Sequence, residues 1–282
     1  MDKLMKITTV SYQSKYSKEE NITTISELVT KIKIEQETDF IFFGELALSN
    51  YIISKDYLEL NSVSLDGKEI ETMKNVAKKN CVCISFGYSE KAHDNYYNSQ
   101  IVIDQNGCVV YNHRKNNLTN KERLFFSEGK TPVSFFVLNN FQYAISICFD
   151  MFGPTFHKQY KSKQATIFLH ALTDPQDAKF ALGFSGRSTL AYYIAANRFG
   201  TENTTYYNGH IGIYSPTGKK IGLMSDQEGI LSSNIIDKKR NKTFLKIVNT
   251  FKIGIHLILH LKKVINYLAW STKNKNTKNK KG

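Results

Sequence analysis

Cys148 ends an apolar run, Phe141 to Pro154 (FQYAISICFDMFGP), and a thiol in that place can do nucleophilic chemistry. The strand-like segment Tyr143 to Ile147 lies between Asn139-Asn140 and Gly153-Pro154, which predicts that Cys148 stands at the strand's C-terminal edge. Open α/β sheets place their chemistry at such edges. A thiol is mostly protonated at neutral pH and needs a base or a nearby cation to react. Two upstream stretches hold such groups. In Asp39 to Tyr51 (DFIFFGELALSNY) a short apolar strand gives way to Gly44 and a single carboxylate, Glu45. In Asn112 to Gly129 (NHRKNNLTNKERLFFSEG) Arg114-Lys115 is followed by Glu122. Each residue also has a plain structural reading: Cys148 as a small core hydrophobe, Glu45 as a solvated strand-end carboxylate, Lys115 as a surface lysine, Glu122 as a partner of Lys121 or Arg123.

The elements that would position these groups alternate between helix and strand. Lys6 to Tyr12 reads as a first strand. Ser17 with Glu20 makes a capping box, after which Ile22, Ile25, Val29 and Ile32 recur at helical spacing. Asp39 to Phe43 is a second strand that delivers Glu45 to its exit. Glu69 to Lys79 reads as a helix and Val82 to Phe86 as a strand. Asn106-Gly107 predicts a hairpin whose outgoing strand leads to Lys115. Asn139-Asn140 predicts a second hairpin, which ends at Cys148. Beyond it, Ala165 to His170 reads as a buried strand and Ser185 to Asn197 as a helix with Leu190, Ile194 and Ala195 inward. Ile211 to Tyr214, turning at Pro216 to Gly218, closes the sheet region. The alternation points to an α/β layered domain.

A glutamate after one strand, a lysine after a hairpin and a cysteine after a third strand, in that order, resemble the nitrilase superfamily of carbon-nitrogen hydrolases. The resemblance covers roughly Ile7 to Ile236. It rests on Glu45, on Arg114-Lys115 with Leu118, on Cys148-Phe149-Asp150, and on Ala196-Asn197-Arg198 followed by GHIGIYSPTGKKIG. Gly44 departs from the pattern, since the family usually has proline before its glutamate. The resemblance implies a four-layer αββα sandwich. It also implies a Glu45, Lys115 and Cys148 triad acting through a cysteine thioester, with the N–H of Phe149 and the Lys115 ammonium at the oxyanion and Glu122 as helper. No metal or cofactor is implied.

Other candidates read as structural. His170 lies in an apolar strand and fits a satisfied core histidine; His113, His157 and His210 have no orienting partner at a telling spacing. Arg187 is expected to fix the helix that follows it, Asn197 to brace the late hairpin, and Asp150 to bond the local turn.

The charge is divided unevenly. The chain of 282 residues has 38 Lys plus Arg against 25 Asp plus Glu, a net of +13. Lys238 to Gly282 holds 13 basic residues and no acidic one, so the preceding body carries 25 of each sign. A neutral body argues against a nucleic-acid-binding core. The four cysteines, Cys81, Cys83, Cys108 and Cys148, lack zinc spacing. The opening MDKLMKITTV lacks a signal peptide's apolar core, which predicts a reducing cytoplasm.

Residues 1–237 are expected to form the hydrolase domain, 238–270 a basic amphipathic helix and 271–282 a disordered Lys/Asn-rich tail. In the extension Ile247, Phe251, Ile258, Leu261, Ile265 and Leu268 share one stripe, with Lys246, Lys252 and Lys263 opposite. Such a helix buries its stripe on the body or in a homo-oligomer interface, or lies on an anionic membrane surface, with nucleic acid as the remaining reading. The expected activity is hydrolysis of a small amide. Two other readings stand beside it: an N-acyltransferase using the same thioester, and a catalytically idle binding subunit.

Overall fold

In the computed structural model, which describes residues 3–51, 54–152, 154–163, 165–175 and 179–237 together with 247 and 250, the first strand, β1 (Lys3–Ser11), leads into α1 (Lys18–Glu35). The predicted capping box is complete. Ser17 Oγ accepts from Glu20 N at 3.2 Å, and the Glu20 carboxylate accepts from Ser17 N at 3.3 Å. Apart from 247 and 250, the extension and tail lie outside the described residues. No helix among the described residues is long and apolar enough to cross a membrane.

After β2 (Phe40–Phe42) come α2 (Lys55–Asn61), α3 (Lys68–Lys79), β3 (Cys83–Ala92), β4 (Asn95–Ile103) and β5 (Val109–Arg114). The second half runs β6 (Ser134–Leu138), β7 (Phe141–Ile147), α4 (Pro154–Ser162), β8 (Ile167–Ala171), α5 (Lys179–Ser188) and β9 (Tyr192–Ala196). It ends with β10 (Phe199–Glu202), β11 (Thr205–Asn208), β12 (Ile211–Tyr214), β13 (Lys220–Met224) and β14 (Gly229–Asp237). Two mixed six-stranded sheets result, in the orders β14-β1-β2-β3-β4-β5 and β13-β12-β9-β8-β7-β6.

Alternation along the strands makes the layers. Phe40 and Phe42 face the core between the sheets, with Tyr143, Ile145, Leu169 and Ile194 from the opposite sheet. Ile41 and Phe43 face the other way, against Ile25 and Val29 of α1 and Met73 of α3. On the far side Phe156 and Tyr160 of α4 pack on Phe168 and Tyr193. Helix, sheet, sheet and helix therefore stack in the four-layer αββα order that the resemblance implies, each sheet burying a different set of side chains on each face.

Two readings of the sequence are corrected. Ser185 to Asn197 is not one helix: α5 stops at Ser188, Leu190 takes φ +56°, and Tyr192–Ala196 is β9, parallel to β8. Tyr193 and Ala195 enter the helix-facing core while Ile194 and Ala196 enter the core between the sheets. A strand buried on both faces has no polar alternation to announce it. The sheet does not close at Ile211 to Tyr214 either, because β14 pairs antiparallel with β1 over residues 3–11 and 229–237. The Asn106-Gly107 hairpin forms as expected, with Gly107 at φ +81° and Asp104 Oδ1 accepting from Asn106 N and Cys108 N at 2.9 and 2.8 Å. Asn139 and Asn140, at φ +49° and +64°, make the expected two-residue turn between β6 and β7.

Candidate active site

Glu45 follows β2 by three residues and is held by its backbone. Its N–H donates to Leu172 O at 3.3 Å, and its carbonyl accepts from Arg198 Nη2 at 2.9 Å and Thr173 Oγ1 at 3.2 Å. Gly44 stands where a side chain would be crowded, since a Cβ there would lie 3.0 Å from Leu172 O and 3.3 Å from Ala196 O. Gly87 of β3 lies closer still. A Cβ on it would come within 2.2 Å of Leu46 N and 2.7 Å of Glu45 C, backbone atoms that cannot rotate away. Gly87→Ala should therefore lower the unfolding free energy by about 2–3 kcal/mol, read from urea midpoints. An unchanged midpoint would show that the seat of Glu45 yields.

Lys115, just past β5, reaches the same place. Its backbone N–H donates to Asn98 O at 2.8 Å. Its Nζ donates to Glu45 Oε1 at 2.6 Å and to Glu122 Oε1 at 2.8 Å, and all three side chains are fully buried. Glu122, in the 3-10 turn Glu122–Leu124, also accepts from Tyr51 OH at 2.8 Å, Asn98 Nδ2 at 3.2 Å and Thr119 N at 2.7 Å. Glu45 Oε1 accepts from Asn98 Nδ2 at 2.7 Å, whereas its buried Oε2 has no hydrogen-bond partner among the described residues.

These contacts divide the two carboxylates. Burial pushes Glu45 above the usual carboxylate range, and the Glu122 charge adds to this against the pull of Lys115. Burial acts on Glu122 in the same direction, but the Lys115 ammonium and the hydrogen bonds outweigh it and hold Glu122 low. Burial works against the Lys115 charge, yet Glu122 and Glu45 together carry its pKa well above the ordinary lysine value. The fixed pair is therefore Lys115⁺ with Glu122⁻, and Glu45 is the group poised to exchange a proton.

Cys148 stands at the end of β7 and opens the 3-10 turn Cys148–Met151 with φ +42°, a conformation an L-residue holds only under constraint. It is half-buried. Burial raises its thiol well above the usual value, Glu45 raises it further and Lys115 opposes them. The resting sulfur is thus protonated, within the field of the Glu45–Lys115 cluster. Phe149 follows it as the second residue of that turn, among the first N–H groups of the turn.

Two braces fix the sulfur against the lysine. Asp150 Oδ1 accepts from Asn116 N at 2.9 Å and Asn117 N at 2.7 Å, and its Oδ2 accepts from Ile147 N at 3.2 Å and His113 Nε2 at 3.1 Å. One carboxylate so ties the chain after Lys115 to the chain before Cys148. It bonds the local turn, as expected, and the lysine loop as well. His170 Nε2 donates to Cys148 O at 3.0 Å, and Nδ1 accepts from Tyr193 OH at 2.5 Å. Burial holds that imidazole neutral, pushed down to about 4, so it is the satisfied core histidine that the apolar strand predicts.

Two bracing roles are corrected. Asn197 does not brace the late hairpin; its Oδ1 accepts from Asp174 N and its Nδ2 donates to Asp174 O, both at 3.0 Å. Arg187 lies in the last turn of α5 itself and donates to Gly183 O at 2.7 Å, and the segment after it is β9 rather than a helix. The sequence reading passed over Asn98, Tyr51, Gly87 and the Arg198–Glu202 ion pair. Asn98, Ser99 and Gln100 do leave a trace, since three polar residues in a row are buried in the middle of β4. Arg198 had one too: it is part of the late motif, and its Nη2 gathers the carbonyls of Glu45, Leu46 and Ser49 at 2.9–3.3 Å.

Known proteins are similar in sequence and in fold. The family model described as carbon-nitrogen hydrolase matches residues 6–239. A probable nitrilase of Schizosaccharomyces pombe is 28% identical over 224 residues, which cover 76% of this chain and 82% of the relative. The structure of a carbon-nitrogen hydrolase from Helicobacter pylori G27 superposes with TM-score 0.74 at 17% identity, covering 88% of this chain and 92% of that one. A glutamate-to-glutamine variant of the amidase from Nesterenkonia sp. AN1, with the acetamide moiety of fluoroacetamide added covalently at the active-site cysteine, superposes with TM-score 0.71 at 15% identity, covering 86% and 95%. With a family model spanning both sheets and the strand ends that carry Glu45, Lys115 and Cys148, this chain belongs to the carbon-nitrogen hydrolase family.

Proposed function

We propose that this chain hydrolyses the carbon-nitrogen bond of a small amide through a thioester on Cys148. The observation that carries the reading is the buried Glu45–Lys115–Glu122 contact beside Cys148, with Glu45 Oε2 lacking a hydrogen-bond partner among the described residues. A buried carboxylate oxygen without a donor is costly, and a proton in transit is the partner it lacks.

Glu45, as carboxylate, takes the Cys148 proton, and the thiolate attacks the amide carbon. The carbonyl oxygen becomes an oxyanion, met by the Lys115 ammonium and the Phe149 N–H; each such donor is worth about 3–4 kcal/mol. Protonated Glu45 then gives its proton to the leaving nitrogen, ammonia departs and the acyl group remains on sulfur. Water attacks the thioester while Glu45 accepts its proton, and the collapse returns that proton to sulfur and releases the carboxylic acid. Glu122 keeps Lys115 charged and in place throughout. The covalent adduct at the cysteine of the Nesterenkonia amidase supports the same chemistry here.

The test is a panel of small amides, ureido acids and nitriles, with ammonia and carboxylic acid measured together. The expected result is ammonia matched by acid, mole for mole, from at least one amide. Ammonia without acid, with an acylated amine as the other product, would assign the thioester to acyl transfer. No release from any compound would contradict the reading.

A further inference from the structure

A circuit of contacts leaves the acid–base cluster and returns to it. Arg198, between β9 and β10, donates through Nη2 to the Glu45 carbonyl at 2.9 Å and through Nη1 to Glu202 of β10. The other Glu202 oxygen accepts from Tyr51 N at 2.7 Å. Tyr51 OH donates to Glu122 Oε1 at 2.8 Å, and that oxygen accepts from the same Lys115 Nζ that donates to Glu45. Arg198 and Glu202 are buried, whereas Tyr51 is half-buried. A buried ion pair costs solvation, and this one seats the backbone of the residue whose hydroxyl reaches Glu122.

Crowding at Glu122 gives that hydroxyl a task. A carboxylate oxygen offers two lone pairs, yet Glu122 Oε1 accepts from Tyr51 OH, Lys115 Nζ and Asn98 Nδ2, the last at 3.2 Å. The phenol therefore competes with Lys115 for Glu122 and leaves the ammonium shared with Glu45. It also offsets part of the Glu122 charge that acts on Glu45. Burial, and then the Glu122 charge, keep the phenol protonated, so it stays a donor.

We propose that Tyr51 is a positioning residue: its hydroxyl, seated by the Arg198–Glu202 pair, keeps Lys115 shared between Glu122 and Glu45. The proposal deepens the hydrolase reading and rests on it, and a measurement without turnover tells the two failures apart. Without the hydroxyl Lys115 draws toward Glu122 and the Glu122 charge is less offset, and both changes favour protonated Glu45. The charged and titratable groups that face Glu45 are Lys115 and, through it, Glu122, the Arg198 guanidinium at its carbonyl, and Cys148, Tyr51 and Tyr207 within its field.

In Tyr51→Phe of the full chain, with an amide that the wild type hydrolyses, the acid limb of kcat/KM is expected to move up by about 0.5–1 pH unit. Activity is then lost at a higher pH than in the wild type, while kcat at the optimum falls about tenfold and KM stays within about threefold. Glu202→Gln, which loosens the seat of Tyr51, should lower kcat by itself and add less than about twofold to Tyr51→Phe. An acid limb that stays in place in Tyr51→Phe, a KM that rises with kcat unchanged, or effects of the two substitutions that multiply would overturn the proposal. If Glu202→Gln leaves Arg198 unpaired and fails to fold, the limb in Tyr51→Phe decides alone.

The measurement without turnover is the rate at which neutral methyl methanethiosulfonate labels Cys148 at neutral pH, read on its peptide by mass, with exposed Cys81 as internal control. Lys115 drawn toward Glu122 supports the Cys148 thiolate less, so labelling should slow by about threefold to tenfold in Tyr51→Phe while Cys81 keeps its rate. That slowing in a chain that hydrolyses no amide would refute only the hydrolase reading. An unchanged Cys148 rate overturns the positioning role, whether or not the chain hydrolyses amides.

Discussion

Replacing Cys148 with alanine is expected to abolish ammonia release from every amide that the wild-type chain hydrolyses, a fall in kcat of about 10⁵-fold or more. The size follows from covalent catalysis: without the sulfur no acyl intermediate forms, and what remains is binding plus the polarising effect of Lys115 on the carbonyl. The variant should still fold. Cys148 is half-buried, no side-chain hydrogen bond to its sulfur is made by the residues around it that brace its backbone, and the His170 bond is to its carbonyl. Near-native melting with lost activity is the expected pair of results. A variant that kept more than about 1% of wild-type release would exclude Cys148 as the nucleophile.

Glu45→Gln is expected to lower kcat by about 10³–10⁴-fold, because one carboxylate serves both half-reactions as base and as acid. Glutamine suits the test by its shape. Its carbonyl can keep the acceptor place of Oε1 toward Lys115 Nζ and Asn98 Nδ2, and its amide nitrogen falls where Oε2 has no partner to lose. The change removes the proton carrier and leaves the contacts. The pH dependence follows with its sign. The active free enzyme needs Glu45 as carboxylate, and burial with the nearby Glu122 charge raises its pKa against the pull of Lys115. The acid limb of kcat/KM should thus lie above the ordinary glutamate range, activity being lost as pH falls through it, and the limb should vanish in the variant. An acid limb that survives unchanged in Glu45→Gln would assign it to another group.

The Glu45–Lys115–Glu122 cluster is a poor device for stability. Burying an ammonium between two carboxylates costs solvation that apolar side chains of the same volume would not lose. Retaining it, under an acid brace and a strained cysteine, fits a site organised for chemistry rather than for packing.

How far the sequence discloses this site depends on range. Local signals read true: the Ser17–Glu20 capping box, the Asn139-Asn140 turn, and the apolar runs that end at Glu45 and Cys148 all stand where spacing places them. Glu45, Lys115 and Glu122 come together although 70 residues separate the first two, and order along the chain together with the family pattern was enough to select them. What stayed hidden is long-range or symmetric. The pairing of β14 with β1 joins the two ends of the described body, and LSSNIID offers little apolar alternation to predict it. The strand Tyr192–Ala196 shows an apolar face in each direction, so its spacing fits a helix equally well. Asn98 and Tyr51 look like ordinary strand and loop residues until the fold turns them onto Glu122. Gly87 reads as a weak spot in a strand, and only the approach of Glu45 and Leu46 shows why no larger residue fits.

The central claim is the acyl-enzyme, and its most direct test is to mix the chain with a small amide that it hydrolyses, quench within the first turnovers and weigh the Cys148 peptide. The account predicts a mass increase equal to the acyl group on Cys148, released by hydroxylamine, and longer-lived in Glu45→Gln than in the wild type because that variant lacks the base for deacylation. Ammonia released at the full rate with Cys148 unmodified at every time would contradict it.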